Sequence, residues 1–164
     1  MLKLLYIFII IFCIIPPHLK AKTINKIYIK GNQRIESSTI LSYLNIKKND
    51  EINEQDLNVA FKDLFATELF SNISFELKEK SLYIIVKENP IINRIALEGN
   101  KRMGDDDILP EIFLKPRDIF TLNKVKNNVQ TILGIYRANG RYAAIVEPKV
   151  IYLEQNRVDL IFEI

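Results

Sequence analysis

The stretch INKIYIKGNQRI, Ile24 to Ile35, returns as INRIALEGNKRM, Ile92 to Met103. In both, Ile-Asn is followed by a basic residue and Ile, then alternating residues, then Gly-Asn-x-Arg. A self-similarity at an offset of 68 residues implies two copies of one supersecondary unit rather than a single larger domain. Units this small bury little surface and are marginal alone, so they are expected to lean on each other.

Within the first copy, Asn25 to Lys30 alternates as a strand, with Ile27 and Ile29 to one side. Gly31-Asn32 then supplies a turn. Ser37 is placed to cap a short helix, Ser38 to Leu44. A second helix begins at Asn53, with Glu54 and Asp56 in its first turn and Leu57, Phe61, Leu64, Phe65 and Leu69 as its apolar face. A hairpin closes the unit: Asn72 to Lys78, a turn at Glu79-Lys80-Ser81, and Leu82 to Val86, which is continuously apolar as a central strand should be. The second copy repeats the order. A strand ends at Gly99-Asn100, and a short helix spans about Asp106 to Leu114. Thr121 caps a long helix whose apolar face is Leu122, Val125, Val129, Ile132, Leu133 and Tyr136, and Gly140 ends it. Strands follow at Tyr142 to Leu153 and Arg157 to Ile164, the last with Val158, Leu160, Phe162 and Ile164 inward and Arg157, Asp159, Ile161 and Glu163 outward. The fold class is α+β: two tandem β-α-α-β-β units over 22–88 and 89–164, each a three-stranded mixed sheet with both helices on one face. The hairpin's first strand is left at the edge, which suits Pro148.

Residues 1–21 stand apart. Met1-Leu2-Lys3 is a short basic start, Leu4 to Ile15 an unbroken apolar run, Pro16-Pro17 a break, and Ala21 a small residue for cleavage, the layout of a secretory signal peptide. The run is shorter than the roughly 20 residues of a spanning helix; a short uncleaved anchor is the alternative. The chain's one Cys (Cys13) and one His (His18) both lie in this segment. The exported remainder therefore has no disulfide, thiol or imidazole, and its stability rests on packing. Without Lys3 and Lys20 the basic count falls from 23 to 21 against 20 acids, leaving a net charge near +1. No basic run marks a nucleic-acid partner. Catalysis would need a carboxylate pair or a Ser-Lys arrangement, and no spacing places either, so neither an enzyme nor a cofactor is expected.

A signal peptide, tandem β-α-α-β-β units, and IKGNQRI and LEGNKRM after each first strand together resemble the POTRA domains of the BamA/Omp85 family of outer-membrane protein assembly factors. YRANGRYAAIVEPKV and NRVDLIFEI are similar to the family's second periplasmic repeat, and FATELFSNISF to its first. The likeness covers Thr23 to Ile164. The family usually has Gly after the second helix; Gly140 keeps it, and Glu68 stands there in the first copy. Barrel strands of the family have no counterpart in these 164 residues, so a truncated or partial chain is expected. The resemblance implies a periplasmic scaffold that recognises unfolded outer-membrane proteins and docks chaperones or assembly-complex lipoproteins, reaching the outer membrane only through a barrel or partners. A structural spacer of a secretion or division protein is the alternative.

The candidate site is the free sheet edge Ile73, Ser74, Phe75, Glu76, Leu77 and Lys78, which can accept an extended peptide as a further strand. Tyr142 to Tyr152 is a second, poorer edge, interrupted by Pro148. Proline at Ser74 or Glu76 is the expected way to blunt the first. On the sheet face away from the helices, Tyr28, Tyr83 and Ile85 form a possible patch for a partner or for the second unit. Gly31, Asn32, Gly99, Asn100 and Gly140 are structural turns; without a Gly-x-Gly-x-x-Gly pattern they are not phosphate cradles. Asp105-Asp106-Asp107 lacks calcium-loop spacing and reads as a solvated helix start.

Overall fold

A computed structural model describes residues 21–164. The apolar leader falls on residues 1–20 and lies outside the described part. Two short strands, β1 (Lys22–Thr23) and β3 (Glu51–Ile52), pair antiparallel. The sequence reading did not anticipate them. They clamp the fully buried Ile24, whose amide donates to the Asp50 carbonyl and whose carbonyl accepts from Asn49.

The first unit contains β2 (Lys26–Lys30), α1 (Ser37–Leu44), α2 (Glu54–Ala66), β4 (Phe70–Lys78) and β5 (Ser81–Glu88). Its sheet order is β2-β5-β4, with β2 parallel and β4 antiparallel to β5. The second unit repeats this with β6 (Ile91–Glu98), α3 (Asp105–Ile108), α4 (Leu122–Ala138), β7 (Glu147–Leu153) and β8 (Arg157–Glu163), in the order β6-β8-β7. In each the last strand is central, because two intervening helices return it parallel to the first while the hairpin sets it antiparallel to its neighbour. Each unit has its own apolar core, one around Leu64, Phe70, Leu82 and Ile84, the other around Ile112, Ile132, Leu160 and Phe162.

Several local expectations shift. Glu36, not Ser37, is the N-cap of α1: the Asn32 side chain holds the Ile35 carbonyl at 2.8 Å, and Ser37 is already helical. For α2, Asn53 accepts from the Gln55 and Asp56 amides and Asp56 returns a bond to Asn53, a full capping box. Its core face is buried Ala60 and Leu64 with half-buried Leu57. Phe61 and Phe65 lie outside that face and stack on each other at 5.7 Å, while Leu69 falls beyond the helix. The short helix of the second unit stops at Ile108, since Pro110 has no amide hydrogen to continue it. The chain beyond is held instead by buried Asn128 of α4, whose Oδ1 accepts from Phe113 (2.8 Å) and Leu114 (3.3 Å). Leu122, expected on the α4 core face, is exposed at its N-terminus; Val125, Asn128, Ile132 and Tyr136 form the buried row. The strand expected from Tyr142 starts only at Glu147, after a turn at Tyr142 and Ala143 that leaves Tyr142 exposed.

On the outward face of the second sheet, two positions expected to be open are covered. Asp159 and Ile161 are both buried. A bulge at Asn93 lets Asn93 and Arg94 both reach Asp159, at 2.8 and 2.7 Å. That bulge covers Asp159 locally, while Arg157 on the same strand and Ile151 beside it stay exposed.

Candidate functional site

A three-stranded sheet has two open sides, and in the first unit these are β4 and β2. The nine-residue β4 is the longer. Its register with β5 runs from Lys78↔Ser81 through Glu76↔Tyr83 and Ser74↔Ile85, with Leu77↔Leu82, Phe75↔Ile84 and Ile73↔Val86 between them. The two-residue turn Glu79-Lys80 closes the hairpin at Lys78:Ser81. Hydrogen-bonded pairs then alternate from that point, so Lys78, Glu76 and Ser74 bond β5. The Lys80 carbonyl, one residue out of step, accepts from Asn25 and Lys26 on the β2 side, which fits the same alternation. The amides and carbonyls of Leu77, Phe75 and Ile73 therefore point away from β5. Proline at Ser74 or Glu76 would cut the internal ladder, not the outer edge, a correction to the residue choice made from sequence.

Beside this edge lies an open groove of about 290 Å³ between α2 and β4, lined by Leu57, Phe61, Ile73 and Phe75, with Glu54, Asn58 and Ser74 at its rim. Ile73 is buried, Phe75 half-buried and Phe61 exposed. A strand added to β4 would lay alternate side chains against this apolar wall. Phe61, misplaced on the core face by helical spacing alone, becomes part of the site. The opposite edge, β2, also borders a groove, lined by Ile27, Leu41 and Ile46 with Lys26, Lys47 and Lys48. This edge is not a hairpin strand, and no sequence pattern marks it as an acceptor. In the second unit the edge is β7, and Pro148 sits in it opposite Phe162.

Tyr28, Tyr83 and Ile85 share the sheet face away from the helices. Tyr28 and Tyr83 are direct register partners and stack at 5.0 Å between centroids. Lys30 and Lys78 each place their Nζ 5.8 Å from the Tyr83 ring. Tyr28 and Ile85 remain exposed, at 40% and 44%; neither is buried beneath the second unit.

Gly31 and Gly99 take φ +89° and +80°. The first turn is fastened by Glu88. Its Oε1 accepts from the amides of Gln33, Arg34 and Ile35 at 2.7, 2.9 and 2.9 Å, while Oε2 faces Arg34 Nε at 3.3 Å. Burial opposes ionisation of Glu88, but the Ile35, Gln33 and Arg34 amides and the Arg34 charge outweigh it and hold its pKa below the ordinary glutamate value. The same corner joins the units. Asn156 Nδ2 donates to the Glu88 carbonyl at 3.1 Å, Asn89 Nδ2 to the Glu68 carbonyl at 2.7 Å, and Lys124 pairs with Glu68 at 2.6 Å. Glu68 itself adopts φ +57° after α2, as Gly140 does at +74° after α4. The left-handed turn is thus kept without glycine. Asp105 and Asp107 serve the second turn, accepting from the Asn100 side chain (2.7 Å) and the Gly104 amide (3.0 Å). Among the described residues no helix is long and apolar enough to cross a membrane.

A family model described as surface antigen variable number repeat, POTRA, matches residues 22–89 and 90–164. The outer membrane protein assembly factor BamA of Neisseria meningitidis serogroup B is 30% identical over 141 residues, 84% of this chain and 18% of that protein. BamA of Neorickettsia risticii is 26% identical over 140 residues, 85% of this chain and 19% of that one. The chain thus spans about a fifth of the length of these curated relatives. Among solved structures, the N-terminal domain of Omp85 from Thermosynechococcus elongatus superposes with a TM-score of 0.59 at 14% identity, over 85% of this chain and 61% of that one, a likeness of fold.

Proposed function

The chain belongs to the POTRA family, and on that premise we propose that it is a non-enzymatic binding scaffold in outer-membrane protein assembly, exported to the periplasm, that takes unfolded barrel strands onto the free side of β4. The observation that carries this reading is the coincidence of an unpaired edge with an apolar groove: outward backbone groups at Ile73, Phe75 and Leu77 run beside Leu57 and Phe61. Main-chain bonds accept many sequences, and alternate apolar side chains of a barrel strand suit the groove. Each added bond contributes about 0.5–1.5 kcal/mol net, and ordering the peptide offsets much of that, so binding is weak and reversible. Because main-chain bonds rather than ion pairs hold the added strand, binding is also only slightly salt-dependent. The Tyr28, Tyr83 and Ile85 face is the proposed docking surface for a chaperone or an accessory lipoprotein, because a stacked, partly exposed aromatic pair flanked by lysines offers both apolar contact and cation-π donors.

Residue-resolved amide exchange tests the edge. With a barrel-derived peptide, the amides of Phe75 and Leu77 should slow, whereas those of Ser74 and Glu76, already bonded to β5, should not change. Slowing at β2 alone would move the acceptor to the other edge. Unchanged exchange throughout both strands would leave a spacer as the better account.

A further inference from the structure

Residues of both units line a cleft of about 550 Å³ at their joint. The first unit contributes Phe65 from the end of α2 and Phe70 and Ser71 from the start of β4; the second contributes Leu122 from α4 and Tyr152 from β7. Three of these are large apolar or aromatic side chains left in the open: Phe65, Leu122 and Tyr152 are 54%, 67% and 73% exposed. None of the three belongs to either core. Polar bonds brace the joint without covering them, Asn156 Nδ2 to the Glu88 carbonyl and Lys124 to Glu68. The acids at the cleft are committed, Glu68 to Lys124 and Glu88 to Arg34, and Lys87 is exposed, so no unpaired buried charge opposes an apolar guest.

A second observation joins this cleft to the β4 groove. Phe61 lines the groove and Phe65 the cleft, one helical turn apart on α2, and their rings stack at 5.7 Å. On β4, Ile73 lines the groove and Ser71 the cleft. One apolar track therefore runs from Phe75 to the joint along both elements. The β4 backbone changes along it. Its register with β5 shifts between Phe70 and Asn72, which leaves Ser71 bulged. A bulge bends a strand and interrupts regular pairing. A strand added beside Leu77, Phe75 and Ile73 leaves the ladder at that point, and its next residues arrive at the cleft without backbone partners.

We propose that the cleft between the units receives a large apolar side chain, aromatic by preference, from the same extended segment that pairs with β4, just beyond its last ladder residue. The inference rests on the strand-addition reading and brings the second unit into it. β4 holds the backbone of the segment, and Phe65, Leu122 and Tyr152 hold the side chain that follows. The occupant is set by continuity: a segment lying on β4 and running toward the joint has the cleft directly ahead of it. An aromatic ring suits the site because its walls are themselves rings, those of Phe65, Phe70, Phe120 and Tyr152. The sequence demand is small, one bulky apolar residue after a strand of varied composition.

The probes are a short alternating Thr-Val peptide and the same peptide extended by Gly-Phe-Gly or Gly-Ser-Gly at either end, each added to the chain. Three residues add about 10 Å of reach, enough to pass from Ile73 beyond Ser71. At one end, the Gly-Phe-Gly extension should bind about tenfold tighter than Gly-Ser-Gly, the scale of one buried ring after the cost of ordering it. That peptide should also shift the amide resonances of Leu122, Asn123 and Tyr152, which the unextended peptide leaves in place. In a double variant, Leu122→Ser with Tyr152→Ser, both at exposed positions, the advantage should disappear while the unextended peptide binds as before. Equal affinities for the Phe and Ser extensions at both ends, with the Phe75 and Leu77 amides slowed by both, would overturn this inference and leave strand addition standing. So would an undiminished advantage in the double variant. Unchanged exchange at Phe75 and Leu77 with every peptide would refute strand addition, and this inference with it.

Discussion

Replacing Gly31 by Ala separates two costs that are usually confounded. The first is conformational: at φ +89° an L-residue costs roughly 1–2 kcal/mol. The second is steric. A Cβ at Gly31 would lie 2.0 Å from the Val86 oxygen and 3.2 Å from its carbon. Neither partner can yield easily, because Val86 lies in the central strand, paired to Ile73 on β4, and is itself buried. Moving that backbone disturbs ladder bonds worth about 0.5–1.5 kcal/mol each, so the whole change should cost about 2–4 kcal/mol. Gly140 is the internal control. It has φ +74°, but a Cβ there meets nothing within 4 Å, so Gly140→Ala carries the conformational cost alone, about 1 kcal/mol. Gly99→Ala, with the clash at 2.4 Å from the Ile164 oxygen, belongs with Gly31→Ala. Urea melts followed by far-ultraviolet dichroism, with intrinsic tyrosine fluorescence to check that the slope is unchanged, give the three losses. Equal losses for Gly31→Ala and Gly140→Ala would refute the steric half of the reasoning, and no loss at either would refute both.

Glu88→Gln should cost about 1–3 kcal/mol in the same assay, since it weakens the acceptor for three amides and the Arg34 partner. Because the folded-state pKa of Glu88 is depressed, its stabilisation is complete above the ordinary value of 4.5 and is lost as pH falls through the folded pKa; the parent should therefore weaken in acid more steeply than the Gln variant. Glu68→Gly should stabilise by about 0.5–1 kcal/mol by relieving φ +57°, with little lost from its exposed pairing to Lys124; a destabilised variant in thermal melts would point to the Lys124 pair instead. N-terminal sequencing of the exported product should begin at Lys22, and a mature chain retaining Met1 would contradict cleavage after Ala21.

The repeated phrase at Ile24 and Ile92 was enough to determine two copies of one α+β unit, the order of elements and the central place of β5 and β8. Those features depend on periodicity, turn chemistry and chain direction, all of which are local and written along the chain. Helix faces were less legible. Phe61, Phe65 and Leu122 have core-like spacing, yet they border open surface, because the sheet meets only one part of a helix circumference and the sequence does not say which. The polarity of β8 misled for a similar reason: a bulge at Asn93 brings Arg94 over Asp159 and buries a position that alternation left open. Which backbone groups of β4 are free, and the groove that makes them usable, depended on the register with β5 and the packing of α2. Glu88 was invisible for the strongest reason. Its role lies in bonds to residues 53–55 positions away, and only the folded chain brings the end of one strand back to the turn that follows another.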